Sequence, residues 1–179
     1  MRIGTGYDSH RFEDGRRLVL GGVAFPGERG LAGHSDADAL IHAVIDALLG
    51  AAALGDIGSH FPDTDEKWRD ADSAKLLEAV VAEIGAVGYR VGNVDATVIC
   101  ERPKLGPRIT EMRARLAELL KVSPDAVSIK GKTNEKMGFI GRGEGLAVQA
   151  VALLEEKRIS DRESTRIVRI GTNEVKGNG

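Results

Sequence analysis

The sequence predicts an α+β domain in which a mixed β-sheet packs against helices on one face. The chain has 179 residues, enough for a single domain with a buried core. Three segments place apolar residues at helical spacing, and several shorter segments alternate apolar and polar residues as strands do. Because these strands and helices are mixed along the chain, a sheet covered by helices is the expected arrangement.

The first elements bring acidic and imidazole side chains together. Residues 1–10 are predicted to form a strand, with Asp8 and His10 on the same side of it. Residues 18–20 and 23–25 predict two strands around a glycine turn. We expect the first helix to begin at Ser35, with Asp38 completing a capping box, and to end near residue 54. Its otherwise apolar surface carries one polar stripe, formed by Asp38, His42 and Asp46.

The rest of the chain adds two helices, three strands and a charged end. The helices are predicted at residues 73–86 and 107–120, and the strands at residues 89–100, 127–130 and 145–154. We expect the domain to span residues 1–157, followed by a charged tail at 158–179. Within that tail, residues 166–170 carry the pattern of an edge strand.

The composition argues against several classes of function. The net charge of -2 argues against a nucleic-acid-binding protein, and Cys100, the single cysteine, excludes both an intrachain disulfide and a thiolate-rich zinc site. The N-terminus lacks the apolar run of a signal peptide. The longest apolar stretch, residues 39–54, is too short to cross a membrane. These features predict a soluble, cytoplasmic protein.

The histidines indicate a metal site. All four lie within the first 60 residues: His10, His34, His42 and His60. Asp8, His10 and His42 would supply three nitrogen and oxygen ligands and leave a fourth position open, as in catalytic zinc sites. A hydrogen-bonded cluster without metal fits the same spacing. Asp46, one helical turn from His42, is a candidate for orienting its imidazole. His60 has no assigned role.

Two segments suit phosphate groups. His34 and Ser35, at the predicted helix start, fit an anion site, although a solvated loop fits equally well. Residues 131–133 do not belong to a P-loop, because Ala126 stands where the motif requires glycine. Residues 132–135 follow a strand and offer a cation, a hydroxyl and a carboxylate, which suit phosphate and a divalent ion or form an ordinary polar turn.

Two further loops have a simple interpretation beside a functional one. Arg142 and Glu144 lie in a glycine-rich loop and are expected to form an ion pair. Residues 100–106 join a strand to a helix and either bind a ligand or only turn the chain. We expect Cys100 to be a small strand residue rather than a nucleophile, because no histidine lies near it in sequence.

Several motifs occur together in one order. They are Gly6-Tyr-Asp8-Ser-His10, His34-Ser-Asp36-Ala-Asp38, Ala53-Leu-Gly-Asp56-Ile-Gly58, Phe61-Pro-Asp63-Thr-Asp65, Arg102-Pro-Lys104-Leu and Lys132-Thr-Asn-Glu135-Lys-Met-Gly138-Phe-Ile-Gly-Arg142-Gly-Glu144-Gly. Over roughly residues 1–155 the chain resembles the family of 2-C-methyl-D-erythritol 2,4-cyclodiphosphate synthases, enzymes of non-mevalonate isoprenoid biosynthesis. Two features depart from the family pattern. Lys132 stands where threonine is frequent, and the tail is longer than usual.

The resemblance implies a metal-dependent homotrimer, with the sheets facing inward and active sites between neighbouring subunits. Zn²⁺ would be held by Asp8, His10 and His42. A second ion, Mg²⁺ or Mn²⁺, would bridge Glu135 and the substrate diphosphate. His34 and Thr133 would stabilise the transition state as catalytic residues. An isoprenoid diphosphate is a possible ligand of the central cavity.

The resemblance also implies the substrate contacts. Near the metal they are Asp8, Ser9, His10, His34 and Ser35. The methylerythritol phosphate part would contact Asp56, Ile57, Gly58, Phe61, Pro62, Asp63, Thr64 and Asp65. The cytidine diphosphate part would contact Cys100, Glu101, Arg102, Pro103, Lys104, Leu105, Gly106, Lys132, Thr133, Asn134 and Glu135. Phe139 and Arg142 would line the substrate site or the central cavity.

In the implied reaction, a phosphorus–oxygen lyase step, the substrate's 2-phosphate attacks its own β-phosphate and expels CMP. Because this nucleophile is already an anion, no general base is needed, which suits a sequence without a convincing nucleophile–base pair. Two alternatives remain: a zinc-dependent phosphohydrolase and a non-catalytic trimer that binds an isoprenoid diphosphate.

Overall fold

The computed structural model describes residues 1–157. The predicted tail at 158–179 and its possible edge strand at 166–170 lie outside the described residues. The strands are β1 (Arg2–Glu13), β2 (Val19–Leu20), β3 (Val23–Ala24), β4 (Gly30–Leu31), β5 (Tyr89–Ile99), β6 (Val127–Lys132) and β7 (Gly145–Glu156). The helices are α1 (Ala39–Ala52), α2 (Ile57–His60), α3 (Ser73–Ala86), α4 (Ile109–Leu120) and α5 (Gly138–Gly141).

Five strands form a mixed sheet in the order β4-β1-β7-β5-β6. The β5–β6 pair is parallel, whereas β1 pairs antiparallel with β4 and β7, and β5 pairs antiparallel with β7. Strands β2 and β3 form a separate antiparallel pair around the predicted glycine turn. The predicted α+β class with a mixed sheet is therefore confirmed.

Helix α1 lies directly on the centre of the sheet. It packs against β1, β7 and β5, while α3 packs against β5 and α4 against β6. Two glycines of β1 allow the close approach. A Cβ atom at Gly4 would lie 2.1 Å from the Ala47 carbonyl oxygen, and one at Gly6 would lie 2.0 Å from the Ala43 carbonyl oxygen. Because side chains alternate along a strand, the residues that follow on this face, Asp8 and His10, also point towards α1.

The opposite face of the sheet carries exposed side chains on β1. Ile3 and Tyr7 are 70% and 58% exposed, although both are large and apolar. Scattered exposed apolar residues are common, but Ile3 and Tyr7 lie on the same face of one strand, with Thr5 between them. No helix within residues 1–157 is long and apolar enough to cross a lipid bilayer.

The predicted start of the first helix is wrong. Its N-cap is Asp38, not Ser35, and the carboxylate of Asp38 accepts the backbone N–H of Ile41 at 3.1 Å. The helix cannot begin earlier because Ala37 has a positive φ of 56°. The Ser35 hydroxyl instead accepts the N–H of Ala37 within a turn. The third predicted helix also begins later, at Ile109, after a 3-10 turn at Gly106–Arg108.

Asp38 has a second structural task. Its fully buried carboxylate accepts the N–H groups of Gly21 at 2.9 Å and Gly22 at 2.7 Å, which ties the β2–β3 turn to the start of α1. Burial raises the pKa of Asp38, although the three N–H groups act in the opposite direction. The polar stripe seen in the sequence therefore begins with a structural residue.

Candidate active site

The side chains of Asp8, His10 and His42 meet between β1 and α1. Oδ2 of Asp8 lies 2.9 Å from Nε2 of His10 and 3.1 Å from Nδ1 of His42. One ligand atom from each residue falls within 4.8 Å of the other two, an arrangement able to hold a metal ion. The three predicted ligands are thus brought together. The spacing along one strand had paired only Asp8 with His10, and the packing of α1 on β1 adds His42.

The hydrogen bonds of His10 fit a cation. Its Nδ1 lies 2.6 Å from the carbonyl oxygen of Ala32, which can only accept, so Nδ1 carries the proton. In the neutral ring, Nε2 then carries no proton and offers a lone pair. This buried Nε2 makes no hydrogen bond of acceptable geometry, although it lies close to Asp8. An unsatisfied imidazole nitrogen beside a carboxylate oxygen is the donor set that Zn²⁺ accepts.

The ionised carboxylate of Asp8 favours positive charge between Asp8, His10 and His42. Burial would raise the pKa of Asp8, but the close imidazoles of His10 and His42 outweigh burial and hold that pKa well below its usual range. Burial likewise lowers the pKa of His10, yet the Asp8 carboxylate outweighs it and raises the pKa. The carboxylate therefore stays ionised and attracts a proton or a metal cation to the imidazoles.

A cavity of about 460 Å³ opens above the cluster. Its lining includes the predicted residues Asp8, His10, His34, Ser35, His42, Ile57, Gly58, Phe61, Pro62 and Asp63. It also includes Gly33, Trp68 and Leu76, which the sequence did not indicate because none of them carries ionisable chemistry. Trp68 packs edge-on against Phe61 with ring centroids 5.0 Å apart, so it supports the wall of the cavity.

The loop from Asp56 to Asp65 is held by its own caps. The Asp56 side chain accepts the N–H of Ser59 at 2.8 Å and caps α2, and Asp65 caps the next turn through Lys67. The predicted contacts Asp56, Thr64 and Asp65 do not line the metal cavity. Within this chain the caps made by Asp56 and Asp65 shape the loop instead.

Asp46 does not orient His42, contrary to the prediction. Its Oδ1 accepts the N–H of Ile57 at 2.8 Å. This bond connects α1 with the first residue of α2. Asp46 therefore positions the wall of the cavity rather than the imidazole.

His34 and Ser35 line the cavity, but not as a helix-end anion site. The helix start is occupied by the Asp38 carboxylate, which repels anions. His34 instead belongs to a turn, where its Nε2 lies 3.4 Å from the carbonyl oxygen of Asp65. Any phosphate here would meet the side chains of the turn rather than the dipole of α1.

His60 connects the loop to α3. Its Nε2 lies 2.8 Å from the carbonyl oxygen of Leu54, and its Nδ1 lies 3.2 Å from Oε2 of Glu83. The residue left without a role by the sequence thus connects α2 with α3 and with the segment that follows α1.

A second cavity of about 380 Å³ lies between the end of β6 and the segment that follows β5. Its lining includes the predicted residues Cys100, Pro103, Lys104, Leu105, Gly106, Lys132 and Thr133. Four predicted contacts do not line it: Glu101, Arg102, Asn134 and Glu135. Glu101 has a structural task, because its carboxylate accepts the backbone N–H groups of Asn134 and Lys136, both at 3.1 Å. The two cavities share no lining residue.

The prediction that Cys100 is not a nucleophile leads to a simple test. Burial raises the pKa of its thiol to about 11. Compared with a thiol of ordinary pKa 9.0, the thiolate fraction of Cys100 near pH 8 falls by about 100-fold, since each pKa unit is a factor of ten. We expect a disulfide reagent to label the folded protein very slowly and the denatured protein rapidly. Fast stoichiometric labelling of the folded protein would contradict this assignment.

The glycine-rich loop presents a third cavity, of about 550 Å³, beside β1. Ser9 and Phe139 line it. Ser9 lies on the strand face opposite Asp8 and His10, so its side chain lies outside the metal cavity, and its contact with the substrate stays a prediction. The expected ion pair is present, with Nε of Arg142 2.6 Å from Oε1 of Glu144.

Comparison with known proteins agrees with this geometry. Residues 1–155 match the YgbB family. The chain belongs to the YgbB family. A YgbB relative, the 2-C-methyl-D-erythritol 2,4-cyclodiphosphate synthase of Salinibacter ruber, is 61% identical over 155 residues, covering 87% of this chain and 99% of the relative.

Two solved structures of known proteins resemble this chain. The bifunctional IspDF from Campylobacter jejuni matches with a TM-score of 0.84 and 40% identity, over 87% of this chain and only 42% of that one. A CDP-bound 2C-methyl-D-erythritol-2,4-cyclodiphosphate synthase matches with a TM-score of 0.79 and 39% identity, over 86% of this chain and all of that one (100%).

Proposed function

We infer that this chain converts 4-diphosphocytidyl-2-C-methyl-D-erythritol 2-phosphate into 2-C-methyl-D-erythritol 2,4-cyclodiphosphate and CMP, a step of isoprenoid biosynthesis. The observation that carries this conclusion is the Asp8–His10–His42 cluster at the base of a cavity, in a chain 61% identical to a protein of that activity. An oxygen of the 2-phosphate forms a bond to the β-phosphorus, and the bond from that phosphorus to the CMP oxygen breaks. By the type of bond broken, the reaction is that of a phosphorus–oxygen lyase.

The residues of this chain have to orient two anionic groups that repel each other. Bound Zn²⁺ at Asp8, His10 and His42, with Mg²⁺ or Mn²⁺ at Glu135, would supply positive charge to the phosphoryl oxygens. His34 and Ser35 offer polar groups in the wall of the metal cavity. Holding nucleophile and leaving group in line also lowers the entropic cost, by up to about 7–11 kcal/mol in well-oriented intramolecular reactions.

The cytidine diphosphate part requires the second cavity, which is separate from the metal cavity within one chain. We therefore propose that active sites form between neighbouring subunits of a homotrimer, where one subunit supplies the metal cluster and the next supplies Lys132 and Thr133. The exposed apolar side chains of Ile3 and Tyr7, both on the sheet face opposite α1, support an inward-facing sheet in that trimer. Sedimentation analysis of the purified protein tests the subunit number.

The decisive assay is incubation with the cytidine-diphosphate substrate and detection of the products by phosphorus NMR. CMP together with a cyclic diphosphate is the expected result. Inorganic phosphate in place of these products would favour a zinc phosphohydrolase. No reaction, with an isoprenoid diphosphate bound on the trimer axis and empty metal sites, would favour a non-catalytic binding protein.

The Glu135→Gln variant tests the site of the second metal. Glu135 lies at a positive φ of 49° and accepts the Thr133 hydroxyl at 2.6 Å. Glutamine keeps an acceptor for that hydroxyl but removes the charge that a hard cation prefers. We expect the magnesium concentration for half-maximal activity to rise by about tenfold, the consequence of ~1.4 kcal/mol lost at the ion, with zinc content unchanged. Glu118→Gln, on the surface of α4, is the matched control, and an unchanged magnesium titration for Glu135→Gln would contradict the assignment.

A further proposal concerns the surroundings of the site. Phe139, which is exposed on α5, and Arg142, at the end of that helix, are proposed to face the trimer's central cavity and to receive an isoprenoid diphosphate there. The guanidinium would recognise the diphosphate, because it offers donors in a geometry that suits phosphate oxygens. The cytoplasmic location stays a prediction.

A further inference from the structure

Ser73 places a buried hydroxyl beside the metal cluster, and neither the sequence motifs nor the proposed reaction uses it. It is the first residue of α3, and its side chain is fully buried. Its Oγ lies 2.9 Å from Nε2 of His42 and also forms a hydrogen bond with Oδ1 of Asp36. A continuous chain of contacts therefore runs from Asp36 through Ser73 and His42 to Asp8.

The direction of these hydrogen bonds follows from the available protons. The Asp36 carboxylate accepts the backbone N–H groups of Ser73 at 3.1 Å and Asp38 at 3.2 Å, and an ionised carboxylate can only accept. The single hydroxyl proton of Ser73 therefore points to Asp36. The Ser73 oxygen then presents a lone pair to Nε2 of His42, so Nε2 must carry a proton.

This arrangement determines which nitrogen of His42 is free. A neutral imidazole protonated at Nε2 has its lone pair at Nδ1, the atom that lies 3.1 Å from Oδ2 of Asp8. We propose that Asp36 and Ser73 form a relay that holds His42 in this tautomer, which makes Ser73 a positioning residue for the metal centre. The proposal rests on the metal site of the proposed function. Ala32 performs the equivalent task for His10 through its carbonyl oxygen.

Ser35 provides the competing contact. Its hydroxyl oxygen lies 3.2 Å from the same Nε2 of His42 and accepts the N–H of Ala37. If Ser35 donated its own proton to Nε2, the lone pairs of Ser73 and His42 would face each other at 2.9 Å. The relay therefore predicts that Ser73, not Ser35, controls the imidazole, and Ser35 serves as the matched comparison.

The test compares zinc affinity in Ser73→Ala and Ser35→Ala, measured on the full chain by competition with a chromogenic chelator. Alanine at position 73 leaves the cap of α3 intact, because Asp72 supplies it. Loss of a partner that orients a metal-ligating histidine typically weakens metal binding by about 10–100-fold. We expect a loss of this size for Ser73→Ala and a change within about threefold for Ser35→Ala, since only Ser73 orients the ring.

A second readout separates positioning from general damage to the fold. In zinc-loaded protein labelled with ¹⁵N at histidine, we expect the Nε2–H proton of His42 to exchange slowly in the wild type and rapidly in Ser73→Ala. Asp36→Asn is the second variant if Ser73→Ala does not fold, and we expect it to weaken zinc binding as well. Asparagine replaces one carboxylate oxygen of Asp36 with an NH₂ group, and this group would face N–H and O–H groups that also donate.

The outcomes distinguish this proposal from the proposed function. Unchanged zinc affinity in Ser73→Ala, or a larger loss in Ser35→Ala, overturns the relay. A wild-type protein without zinc affinity overturns it too. A wild-type protein that binds zinc but releases no CMP contradicts the proposed reaction, while a selective loss of zinc in Ser73→Ala would still support the relay.

Discussion

Replacing His42 with alanine is expected to remove zinc and nearly all turnover. His42 is the only one of the three clustered residues on α1, whereas Asp8 and His10 both lie on β1. Without it, two ligands from one strand remain, fewer than the three protein ligands of catalytic zinc sites. We expect zinc content to fall from about one ion per chain to near zero. Turnover should fall at least about 100-fold, the loss typical when one stabiliser of transition-state charge is removed.

His60→Ala is the matched control for the zinc measurement, because His60 contacts Leu54 and Glu83 and lies outside the cluster. Both variants should be assayed by elemental analysis and by CMP release. Zinc retained in His42→Ala, or full activity in metal-stripped protein, would show that the cluster is a hydrogen-bonded structural unit. That outcome would support the alternative that the sequence also allowed, a hydrogen-bonded cluster without metal.

Replacing Gly6 with alanine is expected to have the largest effect on stability. The added Cβ would lie 2.0 Å from the Ala43 carbonyl oxygen and 2.7 Å from the Ala47 nitrogen, both backbone atoms of α1. A backbone cannot rotate away as a side chain can, so helix and strand must separate. Overpacking a core typically costs 1–3 kcal/mol, and for this direct backbone overlap we expect at least ~3 kcal/mol. The separation would also move His42 away from Asp8 and weaken zinc binding.

Gly50→Ala is the matched control at the same helix–strand interface. A Cβ at Gly50 would meet its nearest neighbour, the Thr5 carbonyl oxygen, at an ordinary 3.8 Å. Alanine favours a helix interior by up to about 1 kcal/mol over glycine, so this variant should be as stable as wild type or slightly more stable. Urea unfolding of metal-free protein at one protein concentration measures both variants, because ligand binding and assembly shift apparent stability. A Gly6→Ala protein as stable as wild type would refute the close-packing argument.

Local pattern predicted most of the elements. The strand at residues 89–100 and the helix at 73–86 agree with β5 and α3, because their apolar spacing is the direct consequence of one buried face. The start of α1 was predicted wrongly. Both Ser35 and Asp38 have capping side chains, and the choice between them depends on the left-handed turn at Ala37 and on the glycine turn that Asp38 also binds.

Some functional residues could likewise be placed from the sequence, whereas others required the tertiary structure. Asp8 and His10 could be paired from the sequence, since two residues apart on a strand point in one direction. Their meeting with His42 needed the packing of α1 on β1, which Gly4 and Gly6 permit. Two further findings could not be predicted from local pattern. The side chain of Ser9 faces away from the metal cavity, and the Glu101 carboxylate accepts backbone N–H groups.

The sequence by itself determined the α+β class, most of the elements, the family motifs and the residue types able to bind zinc and phosphate. These follow from local periodicity and from side-chain chemistry, which are properties of short segments. Only the tertiary structure decided that Asp46 supports a loop, that Lys132 and Thr133 line a different cavity from the metal cluster, and that Ser73 reaches both His42 and Asp36. Such contacts join residues more than ten positions apart, and their partners depend on how helices settle on the sheet, for which no local pattern exists.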